Sequence, residues 1–150
     1  MISLYNEDKV ILANFVIRKL RILPNSCISP CSELEYRSII AMGFGYDPKT
    51  NEYKVVRVYS DNKMKESNFP PQRRAEVYSL SLDSWKVIDD VAWEVCFRLC
   101  FHLQRYWNGA YYWFGCASDH HREVIALFDM TSEVFHYMTL PESFCKFPGQ

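Results

Sequence analysis

The chain has 150 residues, 49% hydrophobic in type and 16% aromatic, with 17 Lys and Arg against 18 Asp and Glu for a formal charge of −1. That length suits a single domain over residues 1–150 with a sizeable core. The near-neutral balance gives no electrostatic footprint for nucleic acid or an anionic membrane surface. No apolar run approaches the stretch of about 20 residues that a membrane span needs. Glu7, Asp8 and Lys9 interrupt the region where a secretory signal would be apolar. A cytoplasmic or nuclear protein is expected.

In chain order, ISLY at 2–5 and VILA at 10–13 flank a polar turn and predict a first hairpin. IRKLRIL at 17–23 alternates apolar with basic residues and reads as an exposed outer strand, stopped by Pro24 and Asn25. Residues 25–37 have no period and read as a loop. The strongest β signal is 43–60, GFGYDPKTNEYKVVRVYS. Here Tyr53, Val55, Arg57 and Tyr59 alternate with Lys54, Val56 and Val58, and DPKTN at 47–51 supplies the residues of a tight reversal. Gly43 and Gly45 flank Phe44, where the backbone can bend or approach a neighbour closely.

Residues 61–74, DNKMKESNFPPQRR, are polar and too long for a hairpin connection, and predict an exposed excursion. Strand character resumes at 75–80 and 84–88, with Trp85 inward. A long extended run follows at 96–106, then a turn at Asn108-Gly109 and a buried aromatic strand at 110–116. A polar loop at 117–123 leads to two last strands at 124–129 and 134–139.

Laying VYSL at 77–80 over LFDM at 127–130 also places Asp83 on Glu133 and Trp85 on Phe135, an offset of fifty residues. Such a period, at four strands per unit, is a signature of propeller blades whose aromatic faces are buried by stacking on neighbours. The fold class expected is all-β, a partial kelch-like β-propeller of about three four-stranded antiparallel blades. Closed propellers use about four to eight blades, so an incomplete propeller is expected.

The segments at 43–60, 75–89 (AEVYSLSLDSWKVID), 107–115 (WNGAYYWFG) and 126–141 (ALFDMTSEVFHYMTLP) resemble, in order and spacing, the F-box-associated domain of plant F-box proteins. The likeness is to the F-box/kelch-like and S-locus F-box-like branch, and runs from about Lys9 to Pro141. The family's Trp-Asn-Pro turn is matched here by Ala13-Asn14-Phe15. The resemblance implies a kelch-like propeller that recruits a target protein for ubiquitination by a cullin-type ligase. The family touches the ligase adaptor through an F-box, and no such pattern precedes Met1, so adaptor binding by this chain is not expected.

No catalytic signature stands beside that reading. The G-x-S-x-G elbow, H-E-x-x-H helix, phosphate-cradling loop and dinucleotide fingerprint are all missing from the sequence, so a non-enzyme without cofactor is expected. Cys27 and Cys31, and Cys96 and Cys100, are spaced too loosely for a zinc knuckle. About 13 Å of strand would separate the second pair, and reduced, structural thiols are expected instead. His120-His121 read as solvated, and Asp47, Asp83 and Asp129 as turn formers. Trp85 and Trp113 read as packing residues rather than a sugar groove.

The expected partner is an unidentified protein, bound through the 61–74 excursion. Lys63, Met64, Lys65, Phe69, Arg73 and Arg74 offer cations and apolar contacts there, stiffened by Pro70-Pro71. Two rival readings are a truncated or degenerate copy without independent activity and a carbohydrate-binding domain.

Overall fold

The computed structural model describes residues 2–6, 9–28, 36–62, 72–88, 91, 95–97, 104–117 and 122–141. Every regular element among them is a strand: β1 (Ile2–Asn6), β2 (Lys9–Asn14), β3 (Lys19–Ile22), β4 (Tyr36–Asp47), β5 (Glu52–Asn62), β6 (Gln72–Ser79), β7 (Ser84–Ile88), β8 (Val95–Phe97), β9 (Arg105–Trp107), β10 (Ala110–Ala117), β11 (Glu123–Asp129) and β12 (Val134–Thr139). They form three antiparallel sheets. The first has the order β1-β2-β3, the second β4-β5-β6-β7 and the third β12-β11-β10-β8, with β9 also on β10. Ala110 pairs with Trp107 and Gly115 with Phe97, while β11 occupies the other edge of β10. β8 and β9 are therefore two pieces of one lane, and the run expected at 96–106 is interrupted; residues 98–103 lie outside the described residues.

The second sheet is sandwiched. One apolar cluster (Val56, Val58, Val77, Trp113, Phe128 and Phe135 among its members) lies between it and the third sheet. Another (Val10, Leu12, Val55, Tyr78 and Trp85) lies between it and the first. Every residue of β5 from Lys54 to Ser60 is consequently buried. Alternation in this strand sorts residues between two covered faces, which is why Lys54 and Arg57 need partners inside the protein.

The two glycines of β4 are explained by the third sheet. A Cβ on Gly43 would lie 2.7 Å from Tyr111 Cγ and 2.9 Å from Trp113, and one on Gly45 would lie 2.5 Å from Tyr106 Cδ2 and 2.8 Å from Met130 Cε. The aromatic rings rest directly on the backbone, and two of them bond it. Trp113 Nε1 donates to Met42 O at 3.1 Å and Tyr106 OH to Tyr46 O at 2.7 Å.

One four-residue turn recurs in all three sheets, joining Asn14 to Lys19, Asp47 to Glu52, Ser79 to Ser84 and Asp129 to Val134. Its last residue has positive φ each time: 52° at Arg18, 57° at Asn51, 51° at Asp83 and 57° at Glu133. In three copies the residue before the turn caps it with a side-chain oxygen. Asn14 Oδ1 accepts from Val16 N (3.1 Å) and Ile17 N (3.4 Å), Asp47 Oδ1 from Lys49 N (2.9 Å) and Thr50 N (3.4 Å), and Asp129 Oδ1 from Thr131 N and Ser132 N (both 2.8 Å). Ser79 cannot reach as far. Glu52 of the neighbouring strand replaces it, accepting from Ser81 N at 3.1 Å and from Ser79 Oγ at 2.6 Å.

The fifty-residue offset holds in three dimensions, since Tyr78 pairs with Trp85 as Phe128 pairs with Phe135. The first such turn also corrects a boundary. Phe15 to Arg18 form the reversal, so the exposed outer strand begins at Lys19 rather than Ile17.

Candidate functional site

The registers give the sheets two unlike ends. Lys54 lies opposite Ser79 and Ala110 opposite Asp129, which puts the β4–β5, β6–β7, β9–β10 and β11–β12 reversals at one end. The Arg21–Asp83 pair at 3.0 Å and the Thr131 Oγ1–Asp47 Oδ1 bond at 2.7 Å bring the turns of adjacent sheets together there. The opposite end is where Asp61 pairs with Gln72 and Cys116 with Glu123; residues 63–71 and 118–121, which follow there in the chain, lie outside the described residues.

At the turn end a buried charge network joins the second and third sheets. Lys54 Nζ donates to Asp47 Oδ2 (2.8 Å), Met130 O (2.8 Å) and Glu133 Oε1 (2.9 Å), and Lys86 Nζ reaches Glu133 Oε2 at 2.7 Å. Burial works against ionisation of Asp47, but Lys54, Thr131, Thr50 and the backbone of Lys49 outweigh it and hold the carboxyl well below its ordinary range. Glu133 is held low against the same opposing burial by Lys86 and Lys54.

Between the first and second sheets, Glu76 is the hub. Its Oε1 accepts from Arg57 Nε and from Tyr59 OH (2.9 Å). Its Oε2 accepts from Ser26 Oγ, Cys27 N and Cys27 Sγ, each at 3.1 Å. The Arg57 guanidinium lies 3.8 Å from the Trp85 ring centroid, and Trp85 Nε1 donates to Pro24 O at 2.8 Å. Burial would raise the Glu76 carboxyl, yet Arg57 and the Cys27 and Ser26 donors keep it low. The Cys27 thiol, whose residue is exposed overall, is pushed up to about 11 by local desolvation together with its bond to Glu76. A carboxylate so fully occupied and a thiol so reluctant to ionise make an inter-sheet tie, not a nucleophile and base.

One open groove of about 700 Å³ is lined by Phe44, Gly45, Tyr46, Tyr53 and Tyr106. The Phe44 and Tyr53 rings lie 5.3 Å apart and within 4° of parallel. Sequence reasoning missed this groove because it weighed tryptophans. Trp85 and Trp113 are buried in the two cores, Trp107 is exposed, and Trp93 lies outside the described residues.

Of the residues expected to meet a partner, Lys63, Met64, Lys65 and Phe69 lie outside the described residues. Arg73 and Arg74 belong to β6, opposite Ser60 and Tyr59, and Arg73 is buried. Backbone pairing runs on through polar side chains because each N–H and C=O still needs its partner, so residues 61–62 and 72–74 of the expected excursion are strand, and 63–71 lie outside the described residues. Among the described residues no group of three or more His, Cys, Asp or Glu could hold a metal ion. His102, His120 and His121 lie outside them; Cys96 stands opposite Cys116 in the ladder. Asp47 and Asp129 cap turns, as expected of turn formers, whereas Asp83 occupies the positive-φ position itself and accepts from Tyr78 OH at 2.7 Å.

Among the described residues every regular element is a strand, and antiparallel sheets stacked face on face are consistent with a partial β-propeller. The F-box associated beta propeller domain family matches residues 1–147, and the chain belongs to that family. An F-box protein and an F-box/kelch-repeat protein of Arabidopsis thaliana are each 32% identical to it over 114 residues. A putative F-box/kelch-repeat protein of the same plant is 29% identical over 108 residues. Each match covers 71% of this chain and 27% of the relative, so the chain spans about a quarter of the length of these relatives. No solved structure matches it. Among the described residues, no helix is long and apolar enough to cross a membrane.

Proposed function

We propose that the chain is a non-enzymatic protein-recognition module, a partial kelch-like propeller of about three blades serving as the substrate-recognition region of an SCF-type ubiquitin ligase in the cytoplasm or nucleus. The observation that carries this reading is the match of the F-box associated beta propeller domain family to residues 1–147, on sheets whose tight turns are locked together at one end. The tight turns are capped and tied to one another at one end, while residues 63–71 join β5 to β6 from the other. Lys63, Met64, Lys65 and Phe69 supply cations and apolar contacts there, with Arg73 and Arg74 at the base of the excursion where β6 begins. The Pro70-Pro71 pair limits the entropy lost on docking.

Affinity capture with the intact chain, followed by mass spectrometry, tests this. A single protein should be recovered, and replacing residues 64–71 by a Gly/Ser linker should abolish its capture while the circular dichroism spectrum is unchanged. Capture that survives the replacement places the binding surface elsewhere.

A further inference from the structure

The hairpin of β2 and β3 departs from the other copies of the same turn in a way the fold does not require. Where those turns read Pro-Lys-Thr-Asn, Leu-Ser-Leu-Asp and Met-Thr-Ser-Glu, this one reads Phe15-Val16-Ile17-Arg18. Phe15, Val16, Ile17, Leu20 and Ile22 are between 57% and 92% exposed. Four cations, Lys9, Arg18, Lys19 and Arg21, are the whole charged content of residues 9–22, in a chain whose net charge is −1. Arg21 is engaged by Asp83, whereas Arg18 and Lys19 have no ion pair among the described residues. Beside the hairpin runs a groove of about 370 Å³ lined chiefly by Leu12, Ile17, Leu20 and Leu80.

β3 is also an edge strand among the described residues. Leu23 N donates to Val10 O at 2.9 Å. Hydrogen-bonded and non-hydrogen-bonded pairs alternate along an antiparallel ladder. The Ile11–Ile22 and Ala13–Leu20 pairs are thus non-bonded, and the backbone N–H and C=O of Leu20 and Ile22 point outward, ready to pair with another strand.

We propose that this edge binds an extended acidic and apolar segment of a partner protein by strand addition, with carboxylates on one face meeting Lys19 and, at the turn, Arg18, and the alternate aliphatic side chains on the other face covering Leu20 and Ile22. A second copy of the chain is disfavoured as occupant, because pairing β3 with itself sets cations against cations. The surface lies at the turn end, away from the Asp61–Gln72 pair, and stands whether or not residues 63–71 bind anything.

The test uses the intact chain and a fluorescent synthetic peptide alternating Glu with Val, with a Lys/Val peptide as control, read by anisotropy. The acidic peptide should bind saturably and more weakly as salt rises. The double variant Arg18→Glu/Lys19→Glu should weaken it at least tenfold and confer binding of the basic peptide. That variant keeps its turn, because Glu133 and Asp83 already hold the same positive-φ position elsewhere. Leu20→Pro, which removes an outward donor without touching a charge, should weaken binding as well. Absence of saturable binding, or equal binding by the charge-reversed variant, overturns the proposal. So does a concentration-dependent dimer that Leu20→Pro abolishes, which would give the edge to a second copy.

Discussion

The ammonium of Lys54 lies 2.8 Å from Oδ2 of Asp47 in a space where both side chains are almost wholly buried, and the same ammonium ties the second sheet to Met130 and Glu133 of the third. Lys54 keeps Glu133 and the Met130 carbonyl when Asp47 is removed, so Asp47→Ala should cost less than a fully unpaired buried charge, which costs about 3–5 kcal/mol. A loss of about 2–3 kcal/mol is expected in urea titration, from the lost ion pair and the orphaned Thr131 and Thr50 donors. Lys54→Met should also destabilise. The double variant should cost less than the sum of the two, by about 1–3 kcal/mol of coupling. Strict additivity, or a loss under about 1 kcal/mol for Asp47→Ala, would show that the ammonium and carboxylate contribute little beyond packing.

Stability should fall at both extremes of pH. Asp47, Glu52, Glu76 and Glu133 all have folded pKa values depressed below their ordinary ones, Glu52 to about 2. Their contribution is complete above the unfolded carboxyl range and disappears as pH drops from about 4.5 through the depressed values. Tyr59 and Tyr78 are raised by burial first, Tyr78 to about 12, and the Lys54 ammonium is raised by its carboxylates against opposing burial. Their contribution is complete below about pH 10 and is lost as pH rises through the folded values. Urea midpoints across pH should therefore show a plateau between about 5 and 9; a maximum at pH 3 would contradict the acid side.

The Cys27 thiol should be slow to alkylate despite its exposure. A folded pKa of about 11 against the ordinary 9.0 leaves roughly a hundredfold less thiolate at pH 8. Iodoacetamide labelling followed by peptide mass mapping should give a Cys27 rate about a hundredfold lower in the native chain than in urea. Equal rates would mean that Glu76 does not hold the thiol.

Gly45 and Gly109 separate two reasons for glycine. Gly109 has φ of 82° and a Cβ there would meet only Pro48 Cδ at 3.7 Å and Cγ at 3.8 Å, ordinary contact distances, so Gly109→Ala should cost about 1 kcal/mol of backbone strain. Gly45 has no such φ, but its Cβ would enter the Tyr106 ring and threaten the Tyr106–Tyr46 bond. Gly45→Ala should cost about 1–3 kcal/mol. The reverse order of the two losses would contradict this assignment.

Much of this was legible because β signals are local. Alternation in 53–59, the Asn108-Gly109 turn and the fifty-residue offset all correspond to strands and registers. The misses came from what lies across a sheet interface. Nothing near Lys54 or Arg57 in sequence shows that both faces of β5 are covered, so the burial of these cations and their bonds to Glu133 and Glu76 were invisible. The excursion was drawn too wide because DNKMKESNFPPQRR looks polar throughout, while ladder pairing at Asp61–Gln72 depends on backbone groups alone. The exposed apolar turn at 15–18 could have been found by laying the turns over one another.

The last prediction compares two residues of like backbone and unlike surroundings. Arg18 and Glu133 both take left-handed φ, 52° and 57°, which a long L side chain adopts at a cost of about 1 kcal/mol. Asn tolerates this conformation better, and Asn51 fills the same position in another copy of the turn. Arg18→Asn should therefore stabilise the chain by about 0.5 kcal/mol, since Arg18 has no ion pair among the described residues to lose. Glu133→Asn relieves the same strain but removes the carboxylate that accepts from Lys54 at 2.9 Å and Lys86 at 2.7 Å. It leaves the buried ammonium with Asp47 and one carbonyl, and should destabilise by about 1–2 kcal/mol. Thermal unfolding of the two variants should move in opposite directions. If both rise, the Glu133 ion pairs contribute less than the turn strain; if both fall, the side chain of Arg18 makes a stabilising contact of its own.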